Sequence, residues 1–263
     1  MKVVLFCGGL GMRIRDYADN IPKALVPIGN RPIIWHLMKY YAHFGHRDFI
    51  LCLGYRSDAI KQYYLDYNEA INNDFVFAKG GKRLDLLHTD ISDWTITFVD
   101  TGIDANVGQR LLAVQPHLKG EEVFLANYSD GLSDLPIPSQ LEHFHSQQAA
   151  ASFVCVRPNL SYHFVSYDAD NRVTGIRDIG TQGVRINGGF FIFRQEIFDC
   201  INPGEELVEE PFERLCRQRR LLVYPYDGFW SSMDTFKDKQ RFEDLYAKGA
   251  APWMIWNKNG PTR

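Results

Sequence analysis

Residues 1–30 read MKVVLFCGGLGMRIRDYADNIPKALVPIGN, an apolar run that passes directly into a glycine loop ending in basic residues. Lys2 to Cys7 is almost wholly apolar with little alternation, the pattern of a strand buried on both faces in a parallel sheet. Gly8, Gly9 and Gly11 follow it. Glycines at such a turn allow positive φ and let backbone N–H groups close on a polyanion that side chains would hold off. Arg13 and Arg15 add positive charge, and Lys23 lies in a Pro-Lys-Ala-Leu-Val-Pro segment whose prolines keep it extended. The combination predicts a triphosphate cradle; the plainer alternative is a turn that only joins strand to helix. Two familiar phosphate binders are excluded by what the loop lacks. Ile14 stands where a dinucleotide fingerprint needs its third glycine, and no Gly-Lys-Ser/Thr closes a P-loop.

The chain of 263 residues is 45% apolar, ample for one core, and no Pro/Ser/Gly-rich stretch divides it, so a single domain over 1–263 is expected. No apolar run approaches the ~20 residues of a membrane span and no signal peptide precedes the first strand, which predicts a cytoplasmic protein with no membrane partner. A net charge of −3 offers no basic field for nucleic acid, so an anion must meet a local cluster and the partner is a small molecule. The five cysteines contain no C-x-x-C pair, and Cys7, Cys52 and Cys155 sit in apolar runs; they read as reduced core residues.

From Pro32 onward, Ile33, Ile34, Leu37, Met38, Tyr41 and Ala42 recur on one helical face, and Gly45 stands where a C-terminal cap would end it. DFILCLG (48–54) is a second buried strand, after which Ser57 is expected to cap a helix with Asp58 in its first turn. This β-α-β-α opening predicts a Rossmann-like, doubly wound α/β fold with a mostly parallel sheet and ligands beyond the strands' carboxyl ends. Residues 74–78 and 94–100 read as strands, separated by a basic loop of Lys79, Gly80, Gly81, Lys82 and Arg83 that is read as solvated rather than as a ligand cover. Gly108 and Arg110 open a helix running to about His117, at whose start a base or phosphate can meet free N–H groups. A strand from Val123 ends in Tyr128-Ser129-Asp130-Gly131, and Met233-Asp234-Thr235 repeats the lone-aspartate setting. Carboxylates so placed suit Mg²⁺, a hard cation that takes oxygen ligands, although a turn role alone also accounts for Asp130. Residues 151–157 read as a strand, and the aromatic-rich segments beyond it as antiparallel strands, one broken by Asn187-Gly188-Gly189 where a sugar can approach the backbone. A helix over 209–220, a last strand at LLVYPYDG (221–228) and a final helix over 236–248 complete the reading. His36, His88 and His145 show no metal spacing and read as packing or surface residues.

With GGLGMR, the PKAL lysine, NYSDG, INGGFF and MDT in view, the chain resembles the sugar-1-phosphate nucleotidyltransferase family, whose signature is GG-x-G-T-R followed by P-K-x-[ML]. Along nearly its whole length it is similar to the cytidylyltransferase branch that acts on glucose 1-phosphate. The resemblance implies that a sugar 1-phosphate attacks the α-phosphorus of CTP, giving a CDP-sugar and pyrophosphate with one Mg²⁺ at the centre, often in a homo-oligomer. It implies a nucleotide-binding part over 1–130, an acceptor-binding part over 131–235 that includes the antiparallel strands, and a helix with tail over 236–263. Carried over by position, Gly8, Gly9, Gly11 and Arg13 hold the triphosphate and Lys23 neutralises the α-phosphate. Gly108 and Arg110 lie near the base, Asp130 and Asp234 hold Mg²⁺, and Asn187, Gly188 and Glu210 meet the sugar. Such chemistry needs positioning and charge more than a general base, so no Ser-His-Asp set is required.

Departures from the family pattern are local. Met12 replaces the signature threonine, Ser129 a glycine and Val107 a common threonine. The Glu-Lys-Pro that carries the family's sugar-phosphate anchor is absent, its place taken by Ile176-Arg177-Asp178-Ile179-Gly180, and SYHFVSY (161–167) replaces a smaller stretch. Loss of one charge-assisted hydrogen bond of ~1.5–3 kcal/mol weakens sugar-phosphate binding by about ten- to a hundredfold unless Arg177 or Arg185 substitutes. A different phosphorylated or phosphonate acceptor, and a non-catalytic nucleotide-binding regulator, are the alternatives.

Overall fold

The computed structural model describes residues 1–9, 21–158, 163–179 and 183–257; the predicted phosphate-loop residues Gly11 and Arg13, with Met12, lie outside them. The chain opens with β1 (Lys2–Phe6). A clip of β2 (Pro27–Ile28) and β3 (Arg31–Pro32) leads to α1 (Ile33–His43), β4 (Asp48–Leu53), α2 (Ser57–Leu65) and α3 (Glu69–Asn72). The ribbon β5 (Phe75–Ala78) and β6 (Arg83–Leu86) precedes β7 (Thr95–Asp100), α4 (Val107–Val114), β8 (Val123–Tyr128), β9 (Gly131–Ser133) and α5 (Ile137–His145). The second half holds β10 (Ala151–Val156), a ribbon of β11 (His163–Tyr167) and β12 (Val173–Asp178), then β13 (Ile186–Asn187) and β14 (Phe191–Arg194). It closes with α6 (Glu210–Arg217), β15 (Leu221–Tyr226), β16 (Trp230–Ser232) and α7 (Phe236–Ala247).

The main sheet runs β13-β10-β14-β8-β1-β4-β7, with β15 on the other edge of β10. The ladders β7–β4, β4–β1, β1–β8 and β10–β15 are parallel, whereas β14 and β13 insert antiparallel. The chain steps outward from β1 through β4 to β7 and then returns to the far side of β1 as β8. That reversal is a topological switch point, so the loops leaving β1 and β8 diverge and open a crevice between them. Alternate residues of β1 feed two cores. Val3 and Leu5 pack under α1 and the C-terminal Phe242 and Trp253, and Val4 and Phe6 pack against Leu111 and Val114 of α4 and Leu215 of α6.

Three local expectations are corrected. Trp35, His36 and Tyr40 of α1 are buried as well as the anticipated stripe, because Trp253 and Trp256 from the chain's end fold over the His36 side. Ser57 does not cap α2: Arg56, at φ 51°, holds the cap position, and the Asp58 carboxylate accepts from its Nε at 3.1 Å. The strand at 221–226 is not the last, since β16 follows and pairs with β9. Gly45 does close α1 with φ 84°, and residues 79–82 form the exposed turn of the β5–β6 ribbon.

Candidate active site

Lys23, Asp130 and Asp234 are far apart in sequence and meet at the crevice. Lys23 follows Pro22, whose extended backbone (φ −64°, ψ 145°) starts the 3-10 turn Lys23–Leu25. Asp130 precedes β9 and Asp234 follows β16; because these strands are antiparallel, with Gly131 opposite Ser232, their outer ends coincide. The Met233 N–H donates to the Asp130 carbonyl at 2.9 Å and fixes that junction. The Lys23 ammonium donates to Asp130 Oδ2 at 2.5 Å and to Asp234 Oδ1 at 2.8 Å, and Ser232 Oγ donates to Asp234 Oδ2 at 2.7 Å. Burial works against the charged Lys23, but Asp130 and then Asp234 outweigh it and hold its pKa above the usual lysine value.

Two cavities adjoin at this cluster and share Tyr128, Asp130 and Asp234. The first, about 450 Å³, is walled by Gly8, Gly9, Lys23 and Arg110. Arg110 is 4% exposed, and its guanidinium donates to the carbonyls of Leu53, Gly8 and Ile103 at 3.1–3.2 Å and to Thr101 Oγ1 at 2.7 Å. It is thus a tether for the loop after β1 as well as part of the cavity wall. A Cβ on Gly8 would fall 1.9 Å from Arg110 Nη1, so any side chain there would displace the guanidinium from its tether. Burial pushes the Cys7 thiol up to about 12, leaving it uncharged beside this cavity.

The second cavity, about 1070 Å³, is lined by Asn187, Gly188, Asp178 and Trp230 among others. Between β13 and β14 the strand breaks, as the Asn-Gly-Gly sequence predicts. Asn187 Oδ1 accepts from the Gly189 N–H at 2.8 Å, Trp230 Nε1 donates to the Gly188 carbonyl at 2.7 Å, and Gly189 has φ +74°.

Four sequence candidates stand elsewhere. Gly108 is buried in the first turn of α4, where a Cβ would meet the Glu205 carbonyl at 2.3 Å; it serves close packing, and its neighbour Val107 lines the first cavity instead. Asn106 already caps that helix at Gln109 N–H. Glu210 is exposed at the start of α6, while Glu206 reaches the first cavity. Arg177 is exposed on β12, and Arg185 is committed to the carbonyls of Cys155 and Tyr226 and to Asp227; neither lines either of these two cavities. Sequence reading missed Thr101, Ser232, Trp230 and two cations of the second cavity, Lys237 and Arg241. The cations carry a signal, a four-residue spacing immediately after the Met-Asp-Thr stretch.

An α/β sheet with a glycine loop, a lysine and two aspartates at its switch point defines a nucleotide-phosphate-binding class of enzyme. Residues 2–238 match the nucleotidyl transferase family, and the chain belongs to that family. It is 35% identical over 257 residues to the glucose-1-phosphate cytidylyltransferase of Salmonella typhi, covering 97% of this chain and all of that protein. A mannose-1-phosphate guanyltransferase of Candida albicans is 26% identical over 246 residues, covering 90% of this chain and 62% of that protein. Among solved structures, HddC from Yersinia pseudotuberculosis shares the fold with a TM-score of 0.65 at 18% identity, covering 93% of this chain and 99% of that one.

Proposed function

We propose that this protein is a cytidylyltransferase that joins CMP from CTP to a sugar 1-phosphate, glucose 1-phosphate foremost, releasing pyrophosphate. The observation that carries the reading is the convergence of Lys23, Asp130 and Asp234 where the two cavities meet. The first cavity suits CTP: the backbone at Gly8 and Gly9 faces the phosphates, and Lys23 neutralises the α-phosphate. The second suits the acceptor, with Asn187 and Gly188 toward the sugar. A phosphate oxygen of the acceptor attacks the α-phosphorus, the bond from that phosphorus to the bridging oxygen breaks, and pyrophosphate leaves with the electron pair. The acceptor oxygen is already anionic, so the chain's task is alignment and charge neutralisation.

Two carboxylates that face one point are the hard oxygen donors a Mg²⁺ ion takes, with phosphate and water oxygens as its remaining ligands. Asp130 and Asp234 would hold it, and it would supply further neutralisation of phosphate charge. We also propose a homo-oligomer, with the uncovered apolar face of the β5–β6 ribbon as its contact.

The test is pyrophosphate release from each of the four NTPs with a panel of sugar 1-phosphates and phosphonates. CTP with glucose 1-phosphate is expected to turn over best; release with no pair would overturn the reading.

A further inference from the structure

The second cavity carries two cations, both on α7, to which the reaction above assigns no task. Lys237 and Arg241 stand one turn apart on α7 and both line it. Among the described residues neither takes part in an ion pair or a side-chain hydrogen bond. Their charged neighbours on the helix are engaged: Asp238 accepts from the N–H groups of Asp234 and Thr235 and from Thr235 Oγ1, and Lys239 pairs with Glu243 at 3.1 Å. The lining also carries Asp130, Asp178, Asp234 and Asp238, so what Lys237 and Arg241 offer an anion is not a positive field over the whole cavity but local N–H donors that no carboxylate among the described residues occupies. On β12, by contrast, Asp178 lines the cavity and Arg177 does not.

We propose that Lys237 and Arg241 receive the acceptor's phosphate, supplying the charge that the 176–180 stretch lacks. The inference rests on the second cavity being the acceptor site. Its geometric merit is that Asp234 lies just ahead of the Thr235 cap of α7 and its N–H donates to Asp238 of that helix at 3.2 Å, which ties the carboxylate beside Lys23 to the element that carries the phosphate anchor. An acceptor phosphate held there stands in the cavity that meets the first at Asp130 and Asp234, across which its oxygen must reach the α-phosphorus.

The experiment compares the full-length wild type with Lys237→Met/Arg241→Met and with Lys237→Arg. Glucose 1-phosphate binding is read by titration calorimetry, and KM is read separately for each substrate. The double variant is expected to bind glucose 1-phosphate about ten- to a hundredfold more weakly and to raise its KM alike, with the KM for CTP within about twofold. Lys237→Arg should retain most of the affinity, and inorganic phosphate should compete with glucose 1-phosphate on the wild type only. Equal affinity in wild type and double variant, a parallel rise in both KM values, or no binding by the wild type would overturn the assignment. A wild type that binds glucose 1-phosphate yet releases no pyrophosphate would sink the proposed reaction and leave the anchor standing.

Discussion

The Lys23 ammonium stands between two carboxylates, so removing it takes away the positive charge that Asp130 and Asp234 share. Lys23→Met is therefore expected to lower the thermal midpoint of the metal-free protein, and millimolar Mg²⁺ to restore it; a midpoint insensitive to Mg²⁺ would refute the cation site. Asp130→Asn and Asp234→Asn should each reduce pyrophosphate release on the order of 10²–10³-fold with an unchanged circular dichroism spectrum. Retained turnover in either would remove that carboxylate from the reaction. A second residue-scale prediction concerns His36, which is 0% exposed. Its Nδ1 accepts from Trp253 Nε1 at 3.3 Å and its Nε2 lies 3.1 Å from the Ile28 carbonyl, an arrangement that requires the neutral ring with its proton on Nε2. Burial lowers its pKa to about 4. The unfolded chain thus binds a proton below about pH 6.5 that the folded chain refuses, so the stabilisation is complete above 6.5 and is lost as pH falls toward 4. Between pH 7 and 4.5 the wild type should lose about 2–3 kcal/mol more unfolding free energy than His36→Gln, measured by urea titration. Equal losses would mean that the ring is protonated in the fold. Lys23 and Asp130 stood out in the sequence because proline before the lysine and glycine after the aspartate set the backbone there, and Asp234 only as a second lone aspartate. The role of Arg110 as a tether was not legible, since its four acceptors come from three separate segments: the end of β4, the loop after β1 and the loop after β7.

At the scale of elements, the β9–β16 ribbon is what turns two remote aspartates into one site. Both strands have only three residues and no alternating pattern, so nothing in their sequence announces that they pair. The long apolar runs of β1, β4 and β8 were legible because burial on both faces demands them. That Arg177 and Arg185 stand outside both cavities was not readable for a related reason: spacing along the chain does not reveal on which side of a ribbon or strand a cation leaves. The break between β13 and β14 was readable from its glycines, and it yields a sharp test. Gly189 has φ +74°, and a Cβ there would come 2.3 Å from Asn127 Oδ1, which already accepts from the N–H groups of Tyr128 and Phe190 at 2.9 Å. Gly189→Ala is expected to cost about 1–3 kcal/mol of stability. It should also raise the KM for the sugar phosphate well above any change for CTP, because the damage falls on the acceptor side. A variant with wild-type stability would show that the backbone there relaxes freely.

At the scale of the whole molecule, the β5–β6 ribbon is one of the parts that a single copy leaves open. Its register places Phe75 opposite Leu86 and Phe77 opposite Leu84 on one face, while Asp85 and Arg83 on the other pair at 2.7 Å. The apolar face is uncovered; Phe77 is 65% exposed and Leu84 47%. An isolated two-stranded ribbon is marginal in water, and an amphipathic one with a bare apolar face gains most from a surface that covers it. A second copy offers the same face and the same need, which is the basis of closed, self-complementary contacts. The full chain is accordingly expected to sediment as an oligomer at micromolar concentration. Phe77→Lys with Leu84→Lys should shift it toward monomer without altering its far-ultraviolet spectrum, since neither side chain belongs to the core. A wild type that sediments as a monomer, or a double variant that keeps the wild-type mass, would refute the assignment of this ribbon as the contact between copies.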